Sequence, residues 1–275
     1  MTNLWLSARL DMAESIRTRW FALYSLVFGA IIVFLFVFGL TESRVMGFTG
    51  LSRLLVTYIQ LTMAILPIFV LITTVRSVAG NREAGVFEYL LSLPVSLAAW
   101  FWGKMIGRFV IVVLPVVLAM VLATAWGVAQ DLSVPWRHLT YYICLLVSLS
   151  WCFLGIGFLI SSVARTPDVA QSAAFIVWLF MLLFLDLILL GLLIKESMPS
   201  ELVIGITLLN PLQVFRTATM MLFDPDLILL GPSAYVILDN FGQTGYVLWA
   251  LVYPAVFGTL CALFGFFLFR RGDLP

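Results

Sequence analysis

An all-α integral membrane fold with six transmembrane helices is predicted, on three observations. Hydrophobic residues fill 63% of the 275 positions and charged residues only 11%, against roughly 25% charged in a soluble domain. The mean hydropathy is +1.12. Six stretches reach the roughly 20 mostly apolar residues needed to cross the hydrocarbon: residues 21–40, 54–79, 106–129, 139–163, 170–194 and 246–269. Together they read as one transmembrane domain spanning residues 1–275.

Residues 1–20 come before the first stretch. Leu4, Trp5, Ala8, Met12 and Ile16 recur at near-helical spacing, with Arg9, Glu14, Arg17 and Arg19 largely off that stripe. An amphipathic helix lying in the membrane interface is expected, able to pass motion into the first span or simply to anchor it. Asp11 and Glu14 precede the first span and no small-residue cleavage site follows it, so the span is expected to remain as an anchor.

Between the second and third spans lies a charged segment, residues 81–94, in a chain that otherwise avoids charge. Asn81 has the side chain of a helix N-cap, Glu83 suits a first helical turn and Pro94 stops a helix. Val86, Tyr89, Leu90 and Leu93 then fall on one face, leaving Arg82 and Glu88 for water or a partner. The expectation is a short docking helix on the membrane surface.

Basic residues near span ends set the orientation. With both termini in the cytoplasm, Arg9, Arg17, Arg19, Arg76, Arg82, Lys104, Arg108, Arg165, Arg270 and Arg271 lie inside, against Arg44, Arg53, Arg137, Lys195 and Arg216 outside. Ten against five favours that topology. Cys144, Cys152 and Cys261 all fall within spans as small buried hydrophobes, with no metal-type spacing. The single histidine, His138, is an interface anchor beside Trp136 and Arg137. Neither lysine, Lys104 nor Lys195, sits in a phosphate loop, so the chain is not its own ATPase.

Asp186, in the fifth span, is expensive to bury in hydrocarbon and is expected to face protein or a wet cavity. Gln60 enters the second span at comparable depth. Both are candidates to line a pathway or to tie two spans together. Residues 195–245 are too apolar for a solvated loop, and Asn210-Pro211 and Gly231-Pro232 punctuate them as short helices dipping into the outer leaflet. Met198, Met220 and Met221 are soft enough for Cu(I), but without an M-x-x-M cluster they read as packing, and no metal site is expected. The Gly103-x-x-x-Gly107 spacing is a weak helix-packing signal.

The run Glu83-x-Gly85-x-x-Glu88-x-Leu90-Leu91-Ser92-x-Pro94, followed by Gly103-Lys104, resembles the loop after the second span in ABC-2 type permeases, the membrane subunits of a class of ABC exporters. The resemblance implies a type V exporter-like fold in which residues 81–94 form a coupling helix seated in a cleft of an ATPase subunit. Glu83, Gly85, Phe87, Glu88, Tyr89 and Leu90 would make the contact, with Pro94 closing it. It further implies two permease copies around a pathway formed largely by the second and fifth spans, hence Gln60 and Asp186, with re-entrant helices closing it from outside. Two ATPase copies would bind ATP and Mg, and this chain no cofactor.

Within that family, Phe184-Leu185-Asp186-Leu187-Ile188-Leu189-Leu190 and Leu208-Leu209-Asn210-Pro211 through Val214-Phe215-Arg216 resemble the membrane subunits of transporters serving nitrous-oxide-reductase maturation. That implies a bacterial inner-membrane exporter of a sulfur- or copper-related species for a copper-sulfide centre. A periplasmic acceptor protein would meet Asn210, Arg216, Asp224, Asp226 and Asp239. No nucleic-acid partner is expected. The residues leave open an exporter of a drug, lipid or ion, and a mechanotransmitter that reshapes a periplasmic partner without moving solute.

Overall fold

The order in which side chains meet across the helices gives the direction of each one. The computed structural model describes residues 2–17, 21–23, 26–27, 29–30, 48–87, 95–129, 136–184, 205, 207–223 and 232–272. Its helices are α1 (Thr2–Ile16), α2 (Phe48–Thr74), α3 (Arg76–Glu83), α4 (Leu97–Ala129), α5 (Trp136–Val163), α6 (Pro167–Leu179), α7 (Pro211–Phe223) and α8 (Pro232–Gly272). A π-helical turn, Phe180–Phe184, continues α6. Gly242, at φ 66°, breaks α8 near its start.

Four of these helices are long and apolar enough to cross a membrane: Ile59–Glu83, Leu97–Leu122, Trp136–Val163 and Thr244–Arg271. Pro167–Leu183 is a shorter apolar helix. The chain is therefore a multi-pass membrane protein. The predicted first span, 21–40, and the far half of the fifth, 170–194, lie mostly outside the described residues. One boundary is corrected: the third span was expected from residue 106, yet α4 begins at Leu97. At about 1.5 Å per residue its 33 residues run about 50 Å, so its first turns extend past the hydrocarbon.

α5 is the hub. Tyr142, Leu145, Leu149, Cys152, Phe153, Leu154 and Phe158 on it are at most 1% exposed, the all-round burial of a helix enclosed by others. It runs parallel to α2, since Gly157 faces Leu71 and Thr74 while Ser161 further on meets Val78 and Ala79. It also runs parallel to α8. Ser148 Oγ donates to the Leu251 carbonyl at 2.6 Å, Trp151 Nε1 donates to Thr259 Oγ1 at 2.9 Å, and Gly265 lies against Leu159. Between these contacts Gly155 and Gly258 touch so closely that a Cβ on Gly155 would lie 1.9 Å from the Gly258 oxygen.

The other two run the opposite way. α4 meets α5 through Phe101 with Phe158 and Phe109 with Trp151, ring centroids 5.0 and 4.9 Å apart. α6 meets α2 through Arg76 with Asp168 at one end and Trp178 Nε1 donating to the Ala64 carbonyl at the other. So α2, α5 and α8 finish, and α4 and α6 begin, at one end of the bundle. That end carries Arg76, Arg82, Arg165, Arg270 and Arg271 and is called the basic end. The outward faces of α4 (Val110, Leu114, Leu118, Val121) and α8 (Val252, Val256, Leu260, Phe264) are exposed apolar stripes suited to lipid.

The segment between α6 and α8 is partly described. α7 starts at Pro211, where the punctuation predicted a helix, and Leu212, Val214, Phe215, Ala218, Met220 and Met221 on it are buried. The two methionines belong to the apolar core. Of the cysteines, Cys152 is buried and Cys261 partly so, but Cys144 is exposed, correcting its expected burial. Cys144 sits on a flank of α5 that is exposed among the described residues.

Candidate functional site

The predicted docking segment is where the chain departs most from the expected local structure. The helical ladder is interrupted at Val75, between α2 and α3, and the freed N–H groups of Val78 and Ala79 both donate to Ser161 Oγ on α5, at 2.9 and 3.0 Å. A serine from another helix thus supplies the cap that the local sequence lacks, since Val75 makes no side-chain cap bond. Asn81 is corrected accordingly. It lies in the last turn of α3 rather than at a helix start.

α3 ends at Glu83. Ala84 N–H donates to the Gly80 carbonyl and Gly85 N–H to the Arg82 carbonyl, at 3.0 and 3.1 Å. Gly85 has φ +65°, the left-handed geometry that closes helices and that side chains resist. Arg82, expected to point to water or a partner, instead reaches back to α5. Its guanidinium donates to the Ala164 carbonyl and, at 2.9 Å, to the Ser162 carbonyl. It closes orphan carbonyls at the end of α5 while fixing α3 in place.

These bonds leave Glu83, Ala84 and Gly85 exposed as a rigidly mounted turn. The next described residues turn inward. Phe87, expected on the partner surface, is corrected: it is 8% exposed and its ring packs against Trp100 and Phe269 at 5.4 and 5.0 Å. It tethers the segment to α4 and α8. Glu88, Tyr89, Leu90 and Pro94 lie outside the described residues.

Beside the turn, a groove of about 670 Å³ opens between α1, α3 and the start of α4. Asn81, Val86, Trp100 and Lys104 line one side and Ser7, Leu10, Glu14 and Arg17 the other. The Lys104 ammonium stands 5.2 Å from the centre of the Trp100 ring. α1 is not simply laid on the membrane. Its buried stripe is Ala8, Asp11 and Ser15, whereas Trp5 and Ile16 of the predicted apolar stripe are 61% and 52% exposed. Asp11 accepts a forked pair of bonds from Arg108 at 2.8 and 3.1 Å, and the same guanidinium donates to the Thr73 carbonyl at 2.5 Å. One arginine so joins α1, α4 and the end of α2. The contact is possible because Gly103 and Gly107 carry no side chain: a Cβ would lie 2.6 Å from the Leu4 carbonyl oxygen and 2.5 Å from that of Ala8. The Gly103-x-x-x-Gly107 spacing, weak as a signal, is the seat of α1.

The remaining candidates are dispersed. Gln60 is exposed on α2, and a hollow of about 510 Å³ near the basic end lies between α2 and α6, lined by Ile72, Asp168, Gln171, Ser172, Phe175 and Ile176. Asp186, Asp224 and Asp226 lie outside the described residues. Asp239 falls in α8, but its side chain is not among those described. Arg216 is half-buried. Asn210, expected as a surface contact, is 3% exposed and is corrected to an internal one. Its carboxamide caps α7 and bridges to the π turn. His138 is exposed, beside Arg137, whose guanidinium lies over the Tyr141 ring.

The chain matches the family described as ABC-2 family transporter protein over residues 5–274. It is 26% identical over 230 residues to the probable ABC transporter permease protein NosY of Stutzerimonas stutzeri, an alignment covering 82% of this chain and 83% of that protein. A second protein of the same name, from Pseudomonas aeruginosa, is 26% identical over 243 residues, with 82% and 84% covered.

Proposed function

The chain belongs to the ABC-2 transporter family as a membrane permease, and on that premise we propose that it is the six-span subunit through which a separate cytoplasmic ATPase drives export. The observation that carries this reading is the exposed Glu83–Gly85 turn. A surface meant to take up work from a motor must not yield, and this turn stands on a helix pinned to α5 by Ser161 and Arg82. Arg108 ties the adjoining end of α2 to α1 and α4, so a push on the turn reaches several helices together.

Six spans fit the helix directions. α5 and α8 run parallel, so the chain between them must cross the bilayer an odd number of times, and the apolar stretch predicted over residues 170–194, which begins in α6, would supply one crossing. Both termini then lie with the basic end in the cytoplasm, as the positive-inside rule favours. The complex comprises two copies of this chain and two of the ATPase, which binds the ATP and Mg. The hollow between α2 and α6, the second and fifth spans, supports a pathway on that face, with Gln60 and Asp186 along it.

The cargo reading rests on the NosY relatives and on the segments around Asp186 and Asn210. It is a sulfur- or copper-related species for the copper-sulfide centre of nitrous oxide reductase, delivered to a periplasmic acceptor near Arg216, Asp224 and Asp226. Deletion of the gene is expected to yield a nitrous oxide reductase lacking that centre; a fully assembled enzyme would remove this cargo while leaving the exporter reading intact.

Docking is tested at the exposed turn. Glu83→Ala and Glu83→Lys are expected to weaken ATPase co-purification about tenfold, the effect of losing one good interface contact, with membrane insertion and thermal stability of the permease retained. Unchanged co-purification in both variants would overturn the assignment. Phe87→Ala is unsuited to this purpose, because truncating a buried phenylalanine costs about 3–5 kcal/mol of fold.

A further inference from the structure

The described residues just before α7 stand level with the middle of α5, Leu209 being 66% exposed there. The hydroxyl of Tyr253, well inside α8, donates to the Leu209 carbonyl, and Tyr253 stands level with the middle of α5 by the Ser148–Leu251 and Trp151–Thr259 contacts. From there α7 runs back towards Tyr142, near the far end of α5, whose ring lies 6.0 Å from that of Phe215. Asn210 sits at the turning point.

Its carboxamide is used twice. Oδ1 accepts from the Leu212 N–H at 3.0 Å, capping α7, and Nδ2 donates to the Met181 carbonyl at 3.0 Å. Met181 belongs to the π-helical turn Phe180–Phe184. A π turn widens the helix and loosens its carbonyls from the regular ladder, and such turns concentrate at functional sites. The Met181 carbonyl therefore has its partner in another helix.

We propose that Asn210 is a positioning residue for the transport cycle: its carboxamide pins α7 to the π turn that follows α6, so that α7 and the end of α6 move as one body. The pin's part in transport rests on the exporter reading; the hydrogen bond itself is a property of the chain. The cap and the pin use different atoms, so one substitution separates them. Serine caps a helix about as well as asparagine but is too short to reach the Met181 carbonyl.

The test uses the full permease–ATPase complex in lipid nanodiscs. In Asn210→Ser, amide hydrogen exchange over residues 180–184 is expected to rise about fivefold, the change in opening that one lost hydrogen bond produces. Exchange at the start of α7 and the melting temperature should stay close to wild type. ATP turnover should shift at unchanged ATPase co-purification. Asn210→Ala, which loses both bonds, is expected to add increased exchange at 212–214. If Asn210→Ser leaves exchange over 180–184 as in the wild type, the carboxamide serves only as a cap, and if turnover stays as in the wild type the pin plays no part in the cycle; either result overturns the proposal. Failed ATPase co-purification by the wild-type chain would strike the docking assignment instead, and the exchange arm would still decide the pin.

Discussion

Gly155→Ala is expected to be among the most damaging single-methyl additions this chain can receive. The new Cβ would lie 1.9 Å from the Gly258 carbonyl oxygen and 2.6 Å from its carbon. Both belong to backbone, which no rotamer change can move aside. α5 and α8 must separate or slide, and with them go the nearby Ser148–Leu251 and Trp151–Thr259 bonds. A loss of about 3 kcal/mol is expected, at the upper end for an overpacked core, read as a large fall in the melting temperature of the detergent-purified protein. Gly80→Ala is the control. It lies in α3 with nothing within 4 Å of the added carbon, and alanine favours a helix interior over glycine by about 0.5–1 kcal/mol. Equal melting temperatures for the two variants would show that the α5–α8 contact gives way.

Removing one partner of the Asp11–Arg108 pair is the second large effect. The side chains are 2% and 16% exposed, with nitrogen and oxygen 2.8 Å apart. A buried pair contributes little net stability when intact, but deleting one member strands a desolvated charge at a cost of about 3–5 kcal/mol. Asp11→Ala should therefore release α1 and expose its linkage to early proteolysis. Arg108→Leu should do the same and also orphan the Thr73 carbonyl at the end of α2. The double variant Asp11→Ala/Arg108→Leu is expected to recover part of the loss, because neither charge is then stranded, though not the Thr73 bond. Losses in the double variant equal to the sum of the singles would mean that the two groups act independently.

What the sequence makes legible follows from the range of the forces involved. The start of α7 at Pro211 is a local matter of punctuation and reads correctly, and four of the six predicted apolar stretches overlap helices long and apolar enough to cross a membrane. Glu83 and Gly85 were expected inside a helix running on from Asn81, and instead Glu83 closes α3 and Gly85 follows it in a turn. Errors fall where a partner distant in sequence decides. Asn81 looks like a cap, yet Ser161, eighty residues on, supplies the capping oxygen in the neighbouring turn. The apolar stripe of α1 points Trp5 inward, but Asp11 is the buried residue because Arg108 waits opposite. Ser161 and Arg108 carry no signal of their own in one sequence; the nearest clue was the Gly103-x-x-x-Gly107 spacing, which in a helix starting at Leu97 marks a close neighbour.

The parallel course of α2, α5 and α8 has an electrostatic consequence. Three helices deliver their carbonyl ends to the same side of the membrane, and each end carries about half a negative charge. Arg108 meets the first of these ends through Thr73, Arg82 meets the second through Ser162 and Ala164, and Arg270 and Arg271 occupy the last turn of the third. The antiparallel α6 presents its opposite pole there and has Asp168 in its first turn. The cations that orient the chain are thus partly neutralised by its own backbone, and the field met by an approaching partner is weaker than a count of arginines suggests.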